Sequence, residues 1–297
     1  MVDSLIGGWA PEAADAVLVG VPYGHGASFG QGAGDGPRAV LGCLERQIEF
    51  FERHTRTEPA RLYRIGHETL DDVAGLAPEA MVARVAGRVA RLPGFVVLVG
   101  GVHSVTVGAL RALAGRADPA GVTVVQVDAH LDMRDDDSDY NDVDPIRYAH
   151  STVMRRAREM GFNTCSVGIR AYSADEHAFA AAEGLPVFEW GRDGGEPTVE
   201  EVLRAVGTER VYLTVDVDGF DPSVAPATGT PVPGGLSWAY GTRLIRRLFE
   251  AKEVVGADVV EVAPDGRSGL TEYAAAQLCY DIMGYRLLKR DGRLAFV

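Results

Sequence analysis

Residues 122–132 read VTVVQVDAHLD, a mostly apolar run that passes directly into an Asp-x-His-x-Asp pattern. Continuous Val-rich runs of about four to eight residues are typical of strands buried on both faces of a parallel sheet. Residues 211–221, VYLTVDVDGFD, repeat the pattern and end in three aspartates. Charges beside a buried strand are costly unless something compensates them, so these two acidic segments predict a pair of divalent cations.

Short apolar runs alternate with amphipathic patterns along the rest of the chain. The predicted strands are residues 16–21, 95–99, 122–127, 165–169, 211–215 and 257–262, and the predicted helices are residues 37–51, 78–92, 105–114, 152–160, 199–206, 239–250 and 272–288. Strand–helix alternation is typical of an α/β fold with helices on both faces of a mainly parallel sheet. Neither a linker-like segment nor a repeat interrupts it, so we predict a single domain over residues 1–297.

The composition limits the classes of partner that the chain can bind. It has 297 residues, of which 46% are hydrophobic, and a formal net charge of -13 at pH 7. A strongly acidic chain repels phosphate backbones and anionic lipids, so we expect no nucleic-acid partner and no membrane association. The same charge favours a small cationic ligand. No stretch approaches the roughly 18 apolar residues that a membrane span needs.

Cysteine usage and the N-terminus predict the compartment. The three cysteines form no CxxC pair and no Cys/His zinc spacing, which is typical of a reducing compartment. The first residues, MVDSLIGGW, carry neither a basic segment nor a long apolar core, so they do not resemble a signal peptide. We therefore expect a cytoplasmic protein.

Four of the predicted strands end in polar side chains. The segment GGVHS, residues 100–104, follows the strand at 95–99 and contains His103, while Glu261 ends the strand at 257–262. In parallel α/β sheets, ligands bind outside the carboxyl ends of the strands. Because the two acidic segments also follow strands, we predict that all of these side chains meet at one edge of the sheet.

The spacing within the acidic segments predicts a site for two metal ions. In an extended chain, an i, i+2, i+4 spacing places side chains on one side. The predicted ligands are two histidines and four aspartates: His103, Asp128, His130, Asp132, Asp216 and Asp218. Four carboxylates balance two divalent cations, and oxygen-rich ligation with some imidazole favours Mn²⁺, with Fe²⁺, Co²⁺, Ni²⁺ and catalytic Zn²⁺ as alternatives. A lone Asp-x-Asp is usually a turn or a cap, but three such motifs at strand ends are far more specific.

Three segments resemble the motifs of the ureohydrolase family, which comprises arginases, agmatinases and their relatives. They are GGVHS at 100–104, DAHLD at 128–132 and TVDVDGFDP at 214–222, the last continuing through PATGTP at 226–231 to GGL at 234–236. The resemblance extends from GVP at 20–22 to the last predicted helix. It implies a three-layer α/β/α fold with a mainly parallel sheet, two Mn²⁺ ions per subunit held by the predicted ligands, and a homo-oligomer, either a trimer or a hexamer.

The resemblance also implies roles in catalysis and substrate binding. Glu261, in EVAP, matches the glutamate that binds the substrate guanidinium, and such a bidentate pair makes physical sense. His150, in YAHST, matches the histidine proposed to transfer protons. Taken alone, these residues would be a strand-end cap and a helix-start residue. The implied reaction is hydrolysis at a guanidinium carbon, in which the metal pair supplies hydroxide and Asp218 and His150 transfer protons.

The chain departs from the family pattern at three places. The first motif normally carries Asp where this chain has Val102, which removes a hydrogen bond near the first ligand. Ser151 replaces the usual Gly or Ala after His150, and the loop at 30–37 lacks an arginine often seen there. We expect the first change to affect the affinity for one metal, and the other two to affect the choice of substrate.

The loop at 133–149 is expected to bind the tail of the substrate, with Asp139 and Asn141 as candidate contacts. It lacks the Ser-Gly-Asn-like stretch with which arginases bind an α-carboxylate, and its aspartates favour an amine. We therefore predict the hydrolysis of agmatine to putrescine and urea, a step of polyamine biosynthesis. Arg134 could instead bind a carboxylate, which leaves guanidinobutyrate, guanidinopropionate, arginine and formiminoglutamate as alternatives. A catalytically silent binding member of the fold is the alternative from another class.

Overall fold

The computed structural model describes residue 6, residues 8–191 and residues 195–297, and its centre is one parallel sheet. The strands are β1 Ala16–Val21, β2 Ile65–Thr69, β3 Phe95–Gly100, β4 Val122–Val127, β5 Asn163–Ile169, β6 Val187–Glu189, β7 Arg210–Asp216 and β8 Glu253–Val260. Their spatial order is β2-β1-β3-β8-β7-β4-β5-β6, and every pairing is parallel. β1, β3 and β4 are buried at every residue, which confirms the α/β class predicted from the Val-rich runs.

Helices cover the sheet on both faces. They are α1 Gly36–Arg46, α2 Pro59–Leu62, α3 Pro78–Val89, α4 Val105–Ala114, α5 Val153–Glu159, α6 Ala174–Ala182, α7 Val199–Ala205, α8 Trp238–Ala251 and α9 Leu270–Arg290. One apolar core joins the sheet to α1, α7, α8 and α9, and a second joins it to α3, α4 and α5. These are the three layers that the family resemblance implies. Within the described ranges, no helix is both long and apolar enough to cross a membrane.

Four strands and α-helices of the structure are not predicted, and the predicted bounds of two further elements are wrong by four residues or more. The unpredicted elements are β2, β6, α2 and α6. β2 and β6 are the edge strands, so they are only partly buried and lack a continuous apolar run. α1 ends at Arg46 instead of residue 51, because the chain turns back there and the Phe50 ring packs against Tyr280. β8 begins at Glu253 and ends at Val260, so Glu261 follows the strand.

The strand order places the polar segments side by side. β3, β8, β7 and β4 are consecutive in the sheet, and these are the strands that the sequence predicts to end in polar side chains. Parallel strands present their carboxyl ends at the same edge, so the segments that follow them converge at the middle of that edge.

Gly101 joins β3 to the polar segment under tight steric limits. Its N–H donates to the carbonyl oxygen of Val21 at 2.9 Å, and its own carbonyl oxygen accepts from the N–H of Glu261 at 2.9 Å. A Cβ atom at this position would lie 2.0 Å from the carbonyl oxygen of Tyr23. The backbone must therefore approach its neighbours more closely than a side chain allows.

We predict that Gly101→Ala lowers the free energy of unfolding by about 1–3 kcal/mol, because the methyl group forces a backbone shift. Urea denaturation at equilibrium measures the change. Gly87→Ala is the matched control, since Gly87 lies in α3 with open space around its Cα and should gain up to about 1 kcal/mol from helix propensity. Equal stabilities for the two variants would contradict the steric account.

Candidate metal centre

One imidazole faces three carboxylates at the middle of the sheet edge. The Nδ1 atom of His103 lies 3.2 Å from Asp128 Oδ2, 3.0 Å from Asp132 Oδ2 and 3.5 Å from Asp216 Oδ2. His103 is 1% exposed, and this nitrogen has no hydrogen-bond partner among the described residues. Buried polar atoms in proteins are rarely left without a partner. A divalent cation among these four side chains would supply the missing partner, so the residues fit a metal site.

A second imidazole completes an adjacent group. The Nδ1 atom of His130 lies 3.1 Å from Asp218 Oδ2 and 3.6 Å from Asp128 Oδ1. Asp128 therefore contributes one oxygen to each group, and the two groups that could hold an ion share this residue. Asp216 joins them as well, because its Oδ1 accepts from the N–H of Asp218 at 2.9 Å. The structure thus brings all six predicted ligands together around two adjacent positions.

The carboxylates exceed the positive charge that the site itself supplies. Burial and the Asp128 charge raise the pKa of Asp132 to about 7. Burial, with Asp218 and Asp128 nearby, raises the pKa of Asp216 well above its ordinary value. Burial opposes the charge on His130, yet its contacts with Asp128 and Asp218 raise its pKa to about 11. Without a metal, bound protons therefore compensate the negative charge of the carboxylates. Metal cations that bind there would displace these protons.

Hydrogen bonds from neighbouring side chains hold the aspartates in place. Gln126 donates to Asp128 Oδ2 at 2.8 Å and accepts from the Ser166 hydroxyl at 2.7 Å. Asp218 accepts from the N–H of Ala129 at 3.0 Å and from the Thr230 hydroxyl at 3.2 Å. A buried Gln inside the Val-rich run was the one sequence signal for these contacts.

A buried chain of hydrogen bonds orients His103 from behind. Thr214 Oγ1 lies 2.8 Å from His103 Nε2 and donates to Asp258 Oδ1 at 2.5 Å, and the Tyr212 hydroxyl donates to the other Asp258 oxygen at 2.7 Å. Because the Thr214 hydrogen is engaged with Asp258, Thr214 accepts from Nε2–H, so Nδ1 is the nitrogen that faces the carboxylates and would bind a cation. Sequence reasoning missed this chain, although an aspartate inside a predicted strand was a visible signal.

Glu261 lies beside His103 in a strained backbone conformation. Its φ is 65°, and Asp132 has a φ of 55°, a region that non-glycine residues rarely adopt. Such strain is often found at functional sites. The Oε1 atom of Glu261 accepts from the N–H of His103 at 2.6 Å, and burial raises the pKa of Glu261 to about 8. A carboxylate is thus held, almost without solvent contact, next to the proposed cation positions.

His150 directly follows the loop at 133–149, and the predicted tail-binding residues Asp139 and Asn141 lie on that loop. His150 Nε2 is 3.4 Å from the Tyr140 hydroxyl, and burial together with the cationic His130 and His103 lowers the pKa of His150 to about 4. Asp139 is paired with Arg134, and Asn141 donates to Asp137 and to the carbonyl oxygen of Asp144. These last two residues are engaged within the loop, and their contact with substrate stays a prediction.

The departures from the family pattern have distinct environments. Val102 is 1% exposed and packs in the apolar core on the α3 and α4 face of the sheet. Ser151 is nearly buried, and its hydroxyl lies 2.5 Å from that of Tyr140. The residue that replaces Gly or Ala therefore has a partner on the loop over the metal centre.

The fold and the site together define an α/β protein with two adjacent groups of carboxylates and imidazoles that could hold metal ions, at the carboxyl edge of its sheet. The chain belongs to the arginase family, whose sequence profile matches residues 14–284, and it is a hydrolase of that family. This confirms the resemblance drawn from the three motifs.

Relatives and solved structures cover nearly the whole chain. The N(1)-aminopropylagmatine ureohydrolase of Synechocystis sp. is 38% identical over 286 residues, which span 92% of this chain and 89% of the relative. The guanidinopropionase of Pseudomonas aeruginosa is 35% identical and covers 92% of this chain and 87% of its own. The crystal structure of the agmatine ureohydrolase of Thermoplasma volcanium superposes with a TM-score of 0.81 at 28% identity, covering 99% of this chain and 96% of that one.

We predict that Asp128→Ala loses both metal ions and all activity, because Asp128 belongs to both groups. Asp132→Ala, which removes a ligand of the His103 group alone, should keep one ion. Metal analysis after gel filtration counts the ions, and thermal unfolding with and without Mn²⁺ shows whether binding still stabilises each variant. Full metal content with full activity in Asp128→Ala would refute the assignment.

The raised pKa values predict a pH dependence for the metal-free protein. Between about pH 6.5 and 8, unfolding lets Asp132, Glu261 and His130 release protons that the folded state holds, so the free energy of unfolding should fall as pH rises. Saturating Mn²⁺ should abolish this fall, because the ion displaces the same protons. Chemical denaturation at several pH values measures both slopes. Metal-free stability that rises through this window would contradict the prediction.

Proposed function

We propose that the chain binds two divalent cations, with Mn²⁺ as the ion we expect, and hydrolyses a guanidine with a cationic tail to urea and an amine. The observation that carries the proposal is the pair of groups that share Asp128. Oxygen-rich ligation with one imidazole per group is the donor set that favours Mn²⁺. Bound at these positions, the cations would make a water acidic enough to act as the nucleophile at neutral pH.

Glu261 is suited to hold the reacting group. A guanidinium is planar and pairs with a carboxylate through two parallel hydrogen bonds, which fixes its orientation. Because burial raises the pKa of Glu261 to about 8, a bound cation would also compensate a carboxylate that is costly to ionise alone. Orienting the guanidinium carbon toward the metal centre converts binding energy into a favourable geometry for attack.

Protons must then move from the attacking water to the departing amine. His150 has a pKa lowered to about 4, so its ring is neutral at physiological pH and would pass on readily any proton that it receives during the reaction. Divalent cations at the two positions would replace the protons of His130 and His103 as the source of this repulsion. Asp218 lies between His130 and the Thr230 hydroxyl and is the second group that we assign to proton transfer.

The charge of the loop at 133–149 supports an amine tail over a carboxylate tail. The loop has six aspartates and two arginines, so its formal net charge is -4. Arg134 contacts Asp139 and lies 3.6 Å from Glu176, and Arg147 pairs with Glu159. Both arginines are therefore compensated, and the remaining carboxylates favour a cation.

Agmatine is the substrate that we propose first, with putrescine and urea as products. A second candidate is N(1)-aminopropylagmatine, because relatives from Synechocystis and Thermus thermophilus that bear this activity in their names are 35–38% identical to the chain. It carries the same guanidinium with a longer cationic tail, so the acidic loop accommodates either by charge.

A urea-release assay with Mn²⁺ tests both the proposed reaction and the proposed preference for a substrate with a cationic tail. We expect the highest kcat/KM for agmatine or N(1)-aminopropylagmatine, and values at least about 100-fold lower for arginine, guanidinobutyrate and guanidinopropionate, because a site lacking a partner for the carboxylate leaves a charge unpaired. No urea from any guanidine would overturn the proposal. Formamide released from formiminoglutamate would then assign the alternative reaction.

A variant of the loop tests the charge argument directly. Asp139→Asn removes the nearer of the two carboxylates that compensate Arg134 and leaves only Glu176 at 3.6 Å, so the activity on guanidinobutyrate relative to agmatine should rise. Asp136→Asn is the matched control, because Asp136 bonds only to Ser138 of the same loop and contacts neither arginine. An equal change of this ratio in both variants would assign the effect to net charge alone.

A further inference from the structure

Arg170 is the first residue after β5 and touches both acidic segments of the metal centre, residues 128–132 and 216–222. We infer that Arg170 is a positioning residue that fixes the separation of these segments and thereby the affinity of the second cation position, that of His130 and Asp218. The inference rests on the metal centre of the proposed function and not on its substrate.

The side chain of Arg170 binds the main chain that carries Asp218. Its guanidinium donates to six carbonyl oxygens: Val232 (2.6 Å), Asp218 (2.7 Å), Gly168 (3.0 Å), Pro233 (3.2 Å), Gly219 (3.3 Å) and Phe220 (3.4 Å). A planar guanidinium with five N–H donors can serve several acceptors at once, whereas a lysine has three donors at a single point. The path of the chain at Asp218 is therefore set by an arginine from another strand.

The main chain of Arg170 binds the other acidic segment. Its N–H donates to the carbonyl oxygen of Ala129 at 2.8 Å, and the N–H of Ala171 donates to the same oxygen at 3.0 Å. In the sheet, β4 lies between β5 and β7. The side chain of Arg170 thus passes across the end of β4 to reach the segment after β7, and a single residue spans the two halves of the site.

The two segments approach each other closely where Gly219 lies against Asp128, and Gly168 of β5 lies against the same residue. A Cβ atom on Gly219 would lie 2.6 Å from the main-chain nitrogen of Asp128, and one on Gly168 would lie 2.9 Å from its carbonyl oxygen. The buried carboxylates of the segments repel one another, so this close contact needs an attractive force. Hydrogen bonds from Arg170 to both segments supply that force.

The contacts predict a selective effect on the two cation positions. The second position needs Asp218 from one segment and His130 from the other, so it depends on the separation that Arg170 sets. The first position combines His103 with Asp128 and Asp132 of one segment. Its fourth side chain, Asp216, is the last residue of β7 and is held by strand pairing beside Val260, not by Arg170. Loss of Arg170 should therefore weaken the second position and spare the first.

Arg170→Lys and Arg170→Gln test the inference by metal titration of the purified chain without substrate. We expect the wild type to bind two Mn²⁺ ions, and both variants to bind one with unchanged affinity and the second about 10- to 100-fold more weakly, the range typical of residues that orient metal ligands. Electron paramagnetic resonance at two equivalents should show coupled ions in the wild type and isolated ions in the variants.

Arg116→Lys is the matched control for a structural effect. Arg116 also donates to three main-chain carbonyl oxygens, those of Val89, Ala90 and Leu92, but at the end of α3. It should lose thermal stability and keep both ions. Unchanged binding of both ions by the Arg170 variants, or the same selective loss in Arg116→Lys, would overturn the inference. A wild type that binds two ions but releases urea from no guanidine would refute the proposed reaction and leave this inference standing.

Discussion

Four aspartates, none more than 3% exposed, surround two imidazoles at the carboxyl edge of the sheet: Asp128, Asp132, Asp216 and Asp218. At about 4 Å, two like charges repel by roughly 4 kcal/mol even at an effective dielectric constant of about 20. Their own imidazoles compensate this charge only in part, which is why burial and mutual repulsion raise the pKa of Asp132 and Asp216. The surrounding hydrogen bonds hold these carboxylates close together although they repel one another, and bound cations would compensate the repulsion.

The aspartates after β7 divide their oxygens between the backbone and the centre. Asp216 Oδ1 accepts from the N–H of Asp218, while Oδ2 faces His103. Asp218 Oδ1 accepts from the N–H of Ala129, while Oδ2 faces His130. One oxygen thus anchors each side chain to the main chain and the other faces an imidazole, although that of Asp218 also accepts from the Thr230 hydroxyl at 3.2 Å. This arrangement needs strands β7 and β4 to be neighbours, which the sheet order provides.

The sequence predicts those features of the fold and the site that short-range residue patterns determine. The buried strands follow from Val-rich runs, and the convergence of the six predicted ligands follows from their places after parallel strands. It cannot predict what depends on distant partners. β2 and β6 lie at the edges, where partial burial leaves no continuous apolar run. Arg170 binds carbonyl oxygens, which every residue possesses, so its partners leave no signature in the sequence.

Two different sets of carboxylates act on the metal and on the tail of the substrate. The carboxylates at the metal centre are buried, so protons or cations must compensate their charge in the folded protein. Those of the loop at 133–149 are mostly exposed and solvated, so their effect is a weaker field that water and salt reduce. Arg134 could reverse the local charge only if freed from Asp139 and Glu176. Small changes in such a loop can alter the preferred tail while the metal centre beneath it, held by buried hydrogen bonds, stays the same.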